Sequence, residues 1–221
     1  MKSLFTYFLK QLILSEPAAY NMLLGFITAL IIWRIIKSSI ALNVSEILIL
    51  SILSVGVSFM LLYNSSALPF LMRFGNLRIG IYLVLLYLSG EIAALLYTTL
   101  LIILYCLFSN SLAIIDMIPF FTTALLVFLF LESISMFLSL LLTNGRLDCY
   151  IIVIIYPIVI VPTFIISFLK SSFNPLWIFG ILIEKTTIQP SVIILSVTIS
   201  IFVYLNLRLI NNLVKSREVL P

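Results

Sequence analysis

The run from Ile118 to Leu142 is apolar on nearly every side, yet it carries a carboxyl, Glu132. At the helical rise, Glu132 lies roughly 16 Å from the nearer end of that run, close to the middle of a hydrocarbon layer ~30 Å thick. Ser135, Ser139 and Thr143 follow it at helical spacing on one face. An acid at that depth is costly to bury, which makes it a candidate for contacting a substrate or for titrating during a working cycle. The structural alternative is a protonated Glu132 hydrogen-bonded to a neighbouring helix. Glu91 is a second acid of interest, at the start of another apolar span. There it either complements the helix macrodipole from the first turn or serves as a gate.

Other chemistries lack their residues. The chain has no histidine, which removes imidazole bases and imidazole metal ligands. The two cysteines, Cys106 and Cys149, fall near opposite ends of their spans and read as buried apolar thiols. No G-x-x-x-x-G-K-[ST] phosphate loop occurs among the seven scattered glycines, so ATP hydrolysis is not expected on this polypeptide. No catalytic residue, metal site or cofactor is expected. Nucleic acid is not an expected partner either, because no basic patch alternates with aromatics outside the apolar runs.

These residues are positioned by elements that belong in lipid. Of the 221 residues 63% are hydrophobic and 9% charged, and the charges punctuate long apolar runs. That leaves nothing for a soluble domain, and residues 1–221 read as one all-α integral membrane unit. A barrel strand alternates apolar with polar residues, and these runs do not.

Six spans are expected, at about 18–36, 46–63, 90–108, 118–142, 149–169 and 190–210. Proline marks several starts, at Pro17, Pro119 and Pro190, and Pro157 and Pro162 predict a kink in the fifth span. Residues 79–89 extend the third run beyond one crossing and are expected at the interface. Residues 173–183 are too short to cross, and so dip in or lie flat. Before the first span, Phe5, Phe8, Leu9 and Leu12 share one helical face and Lys2, Thr6 and Lys10 another, predicting an interfacial amphipathic helix. Small polar stripes, Asn21, Gly25 and Thr28 in span one and Ser51, Ser54 and Ser58 in span two, predict close helix packing more than a substrate path. With both termini inside, the inner face holds eight Lys and Arg and the outer face four, the asymmetry of a multi-pass plasma-membrane protein with cytoplasmic termini.

After span two the chain reads Leu68-Pro-Phe-Leu-Met-Arg73-Phe-Gly75-Asn-Leu-Arg78, then Leu86-Tyr-Leu-Ser89-Gly-Glu91-Ile and a long apolar helix. This resembles the permease subunits of ABC-2 type exporters, in which a short helix after the second span carries an Arg and a Gly-x-Leu element. The entry Glu16-Pro17 and the inner loop Ser139-Leu-Leu-Leu-Thr-Asn-Gly-Arg146 are similar to the family's as well. Tyr87 stands where the family usually has Pro. The resemblance implies a permease half that pairs with a second permease chain, identical or different, and with separate ATPase chains. It also implies a cytoplasmic coupling helix at 67–78, with Arg73, Gly75 and Arg78 at the ATPase contact. Without it, Arg73 and Arg78 read equally well as snorkelling topology anchors. The rival functions are an ion-coupled secondary transporter or channel, and a non-transporting membrane scaffold.

Overall fold

The computed structural model describes residues 2–36, 39–64, 68, 78–109, 117–143, 149–183 and 189–218. Every regular element among them is helical: α1 (Lys2–Leu14), α2 (Glu16–Ile35), α3 (Ser39–Asn64), α4 (Ile79–Ser109), α5 (Met117–Thr143), α6 (Cys149–Ser167), a 3-10 turn (Pro175–Trp177), α7 (Ile178–Ile183) and α8 (Gln189–Glu218). Five of these helices, α2, α3, α4, α5 and α8, are long and apolar enough to cross a membrane. Helix α6 is apolar along its 19 residues and holds Pro157 and Pro162; among its residues with described side chains the apolar stretch is Pro157–Ser167. The chain is a helical, multi-pass type of membrane protein by these lengths and compositions.

Local chemistry sets the helix starts. Ser15 caps α2, its hydroxyl accepting from the Ala18 amide, with Glu16 and Pro17 in the first turn where their charge and missing N–H are favoured. Pro119 and Pro190 likewise stand at the starts of α5 and α8.

The long helices alternate in direction. Trp33 near the end of α2 stacks edge-on against Tyr105 near the end of α4, their centroids 5.1 Å apart. Phe120 at the start of α5 meets Phe179 of α7 at 4.8 Å. Asn43 in the first turns of α3 donates to the carbonyl of Ser167, the last residue of α6. Ser191 at the start of α8 bonds the Ser172 carbonyl. One end of the bundle therefore collects the ends of α2, α4 and α6 with the starts of α3, α5 and α8.

Helix α3 is the centre, with 89% of its apolar window buried, whereas for α2 and α8 the figure is 22%. The outer helices present Leu23, Ile27, Ile31, Ile193, Val197 and Ile201 outward, a surface suited to lipid. The serine stripe of α3 is a packing seam, as its residue types predict. The hydroxyls of Ser58 and Ser135 lie 2.7 Å apart, and Ser135 also donates to the Ser54 carbonyl of α3 at 2.8 Å. In α2 only part of the stripe packs. A Cβ on Gly25 would stand 3.1 Å from the Ile52 side chain, while Thr28 is exposed and bonds back to its own helix.

Helix α1 is amphipathic as expected, burying Phe8 and Leu12 and exposing Thr6 and Lys10. Its buried face rests on α4, with Phe8 edge-on to Tyr82 at 5.4 Å and the Tyr97 hydroxyl donating to the Leu12 carbonyl.

Two expectations need correction. Helix α4 runs unbroken through 31 residues, roughly 46 Å at the helical rise, so nothing separates 79–89 from the rest. No proline interrupts it, and a lone glycine at 90 costs too little to end a helix so long. Glu91 is consequently more than three turns inside α4, not in a first turn. The second correction is at the start of α3, which begins at Ser39 and so places Glu46 two turns in, fully buried.

Residues 173–183 dip into the bundle. Leu176, Trp177, Ile178 and Phe179 are all buried. Two asparagines make this possible by satisfying backbone groups that a short buried turn leaves unpaired. The Asn174 amide donates to the carbonyls of Ile166 and Leu169, both at 2.8 Å. Asn43 donates to Ser167 and Leu176 and accepts from the Gly180 amide at 3.1 Å. At Gly180 a Cβ would stand 2.3 Å from the indole of Trp177, which is itself buried. Gly180→Ala is thus expected to destabilise the chain by about 1–2 kcal/mol through overpacking. Thermal unfolding in detergent measures this, and an unchanged midpoint would show that the indole yields freely.

Candidate functional site

Polar groups gather where α4, α5 and α8 meet. Tyr87 and Glu91 are one turn apart on α4 and share a face. Glu132 and Ser133 are neighbours on α5, which turns one toward α4 and the other toward Tyr87 and α8. Asn206 comes from α8. Its amide nitrogen donates to the Tyr87 hydroxyl at 3.1 Å and to the Ser133 carbonyl at 2.9 Å. The Tyr87 hydroxyl in turn lies 3.5 Å from the Ser133 hydroxyl, which donates to the Leu129 carbonyl on its own helix.

A glycine admits Glu132 to this group. A Cβ on Gly90 would lie 2.8 Å from Oε1 of Glu132 and 2.9 Å from the Phe128 ring, so α4 and α5 approach here only because residue 90 has no side chain. Beside that notch, Glu91 and Glu132 are within electrostatic reach of each other, and Tyr87 is within reach of Glu132. Glu132 and Asn206 are fully buried and Glu91 is half-buried. Both carboxylate oxygens of Glu132, Oε2 of Glu91 and Oδ1 of Asn206 are buried without a hydrogen-bond donor. Such acceptors are expensive in an apolar interior.

The sequence-predicted residues fall in different places. Glu91 and Glu132 come together. Ser135 instead faces α3, where it bonds Ser54 and Ser58, and Ser139 is buried farther along α5. The expected single face of Glu132, Ser135 and Ser139 is thus divided between two neighbouring helices. Arg78 is exposed just ahead of α4, its carbonyl accepting from the Tyr82 amide. Arg73 and Gly75 lie outside the described residues, as does nearly all of the expected coupling helix at 67–78.

Three partners escape the sequence reading. Asn206 is a polar residue inside the apolar run of α8, a signal that was available. Tyr87 looks like one more membrane aromatic. Glu46 lies in a second polar contact, its carboxyl accepting from the Thr98 hydroxyl of α4 while Oε2 has no partner. A separate cavity of about 340 Å³ lies among α1, α2 and α3, lined in part by Tyr7, Gln11, Asn21 and Tyr63. No charged side chain lines it, so the acid pair is the stronger candidate for chemistry.

Compared with protein-family models, with characterised proteins and with solved structures, the chain matches none.

Proposed function

We propose that the chain is the permease subunit of an ATP-driven exporter of the ABC-2 type, a six-span unit whose ATP is hydrolysed on a separate polypeptide. In this reading α6 is the fifth crossing, because α5 leaves the chain at one end and α8 starts again from the other. The observation that carries the reading is a coincidence at one end of the bundle. The amphipathic α1 docks there on α4, α3 ends there, and α4 begins there just after the exposed Arg78. An ATPase bound at that end can push on α4 through residues 67–78. The lipid-suited faces of α2 and α8 leave room for a second permease chain, and the cargo crosses between the two halves by alternating access.

The test is association. Affinity-tagged chain is expected to co-purify with a phosphate-loop ATPase, and Arg73→Glu with Arg78→Glu is expected to lower that yield and the transport-stimulated ATP turnover at least several-fold. Each reversal replaces attraction by repulsion, so raising the salt should narrow the gap between variant and wild type. Unchanged association in the double variant would reduce both arginines to topology anchors. The orientation has its own check: cysteines introduced at Asn64 and Lys170 are expected to label from the cytoplasmic and the outer side respectively. Labelling of both from one side would end the six-span reading.

A second reading, an ion-coupled transporter, is favoured by the acid pair of half-buried Glu91 and buried Glu132. It expects transport that survives without any ATPase and that is lost in Glu132→Gln.

A further inference from the structure

Three features of the α4–α5–α8 junction point in one direction. The first is its charge. Glu91 and Glu132 are within electrostatic reach of each other, and every described basic side chain whose exposure is known (Lys10, Arg34, Arg78, Lys170, Arg208 and Lys215) is exposed. None of these cations is buried beside the pair. The second is the hydrogen-bond ledger. The buried oxygens of Glu132, Glu91 and Asn206 are all acceptors, while the nearby donors are already used: the Asn206 amide donates to the Tyr87 hydroxyl and the Ser133 carbonyl, and the Tyr87 hydroxyl donates to the Ser133 hydroxyl. What these oxygens lack is hydrogen. The third is space. The carboxyl of Glu132 and the Phe128 ring both press into the Gly90 notch, a fit too close for an ion that needs several ligands around it. Among the described residues no third acid or cysteine joins the pair to complete a metal site.

We propose that Glu91 and Glu132 form an exchangeable proton-binding site within the membrane part of the bundle, one proton being shared between the two carboxyls. A bound proton turns one acceptor into a donor. Protonated, Glu132 gains an O–H that can be given to one of the unmatched acceptors of the junction, which none of its present donors supplies. The half-buried Glu91 is the entry. It takes a proton from water at its exposed edge and passes it inward, and release reverses the path, so only O–H bonds form and break. Two acids in series, one at the edge and one buried, are the arrangement of intramembrane proton relays.

Because Asn206 is the group that α8 contributes, occupancy of the site bears on how α8 seats against α4 and α5. The other titratable groups on these helices and their neighbours lie elsewhere. Glu46 bonds Thr98, Tyr82 packs on Phe8, and Tyr204 is exposed. The site does not depend on the identity of the energy source, and its test does not use transport.

The test is infrared difference spectroscopy on the full-length chain in lipid vesicles at neutral pH. Subtracting Glu132→Gln from wild type should reveal one carboxylic-acid C=O band that moves in heavy water. Glu91→Gln should displace or abolish the same band, since the proton is shared, whereas Glu46→Gln should leave it in place. Tyr87→Phe preserves the packing and should shift the band, which keeps the test open should Glu132→Gln fail to fold. The proposal is overturned by the absence of a carboxylic-acid band in the Glu132 subtraction. A band indifferent to both Glu91→Gln and Tyr87→Phe overturns it too. So does a sodium-dependent rise in unfolding temperature, relative to choline, that Glu132→Gln removes, because the site would then hold an alkali-metal ion.

Discussion

Asn43→Ala is expected to cost the chain about 3–5 kcal/mol, because it strips partners from three buried backbone groups at once. The side chain of Asn43 is fully buried and donates to the carbonyls of Ser167 and Leu176 while accepting from the amide of Gly180. Each bond alone contributes only about 1 kcal/mol net, but alanine leaves each partner in an apolar surrounding with nothing to bond. The Ser167 carbonyl ends α6 and has no helical partner of its own, so it has no fallback. Asn43→Asp separates the contributions. It keeps the acceptor for Gly180 and loses both donors, so it should destabilise nearly as much as alanine. Trp177, inside the held turn, supplies the fluorescence signal for thermal unfolding in detergent. A loss below about 0.5 kcal/mol in Asn43→Ala would show that the turn holds by apolar packing alone.

The crossing helices were legible because length and apolarity are one-dimensional properties. Runs of the right length stood out, and Pro17, Pro119 and Pro190 marked where three of them begin. The amphipathic face of α1 was legible for the same reason that a soluble helix is, since Phe8 and Leu12 contrast with Thr6 and Lys10. The true start of α3 is hidden in the sequence. Asn43, Ser45 and Glu46 make its first two turns look like a loop, and only tertiary partners (Ser167, Leu176 and Gly180 for Asn43, Thr98 for Glu46) make them tolerable inside a helix.

Which acids meet was not legible at all. A helix that is apolar on nearly every side gives no phase by which to decide the face it turns inward. The sequence therefore marked Glu91 and Glu132 as separate curiosities, and aligned Ser135 and Ser139 with Glu132 on a face that the bundle divides between α3 and α4. The register between α4 and α5 is fixed instead by shape. The notch at Gly90 accepts Phe128 and Glu132, and neither glycine nor phenylalanine advertises that role in a run of similar residues.

Filling that notch is expected to be as damaging as removing Asn43. In Gly90→Leu even the first added carbon would overlap the Phe128 ring and Oε1 of Glu132, and the rest of the side chain has nowhere to go but between the two helices. The expected loss is about 3 kcal/mol or more, at the upper end of overpacking effects, seen as a lower unfolding temperature in detergent. Gly90→Ala is the milder form, at about 1–2 kcal/mol, and it permits a cycle with the ring it strikes. Phe128→Leu alone should destabilise by opening a void beside Gly90. Combined with Gly90→Ala, the void and the methyl group should partly cancel, leaving the double variant more stable than the sum of the single losses predicts. Strict additivity would mean that Phe128 does not limit the approach of α4 to α5. The clash would then fall on Glu132 alone, and Glu132→Ala in place of Phe128→Leu should show the coupling instead.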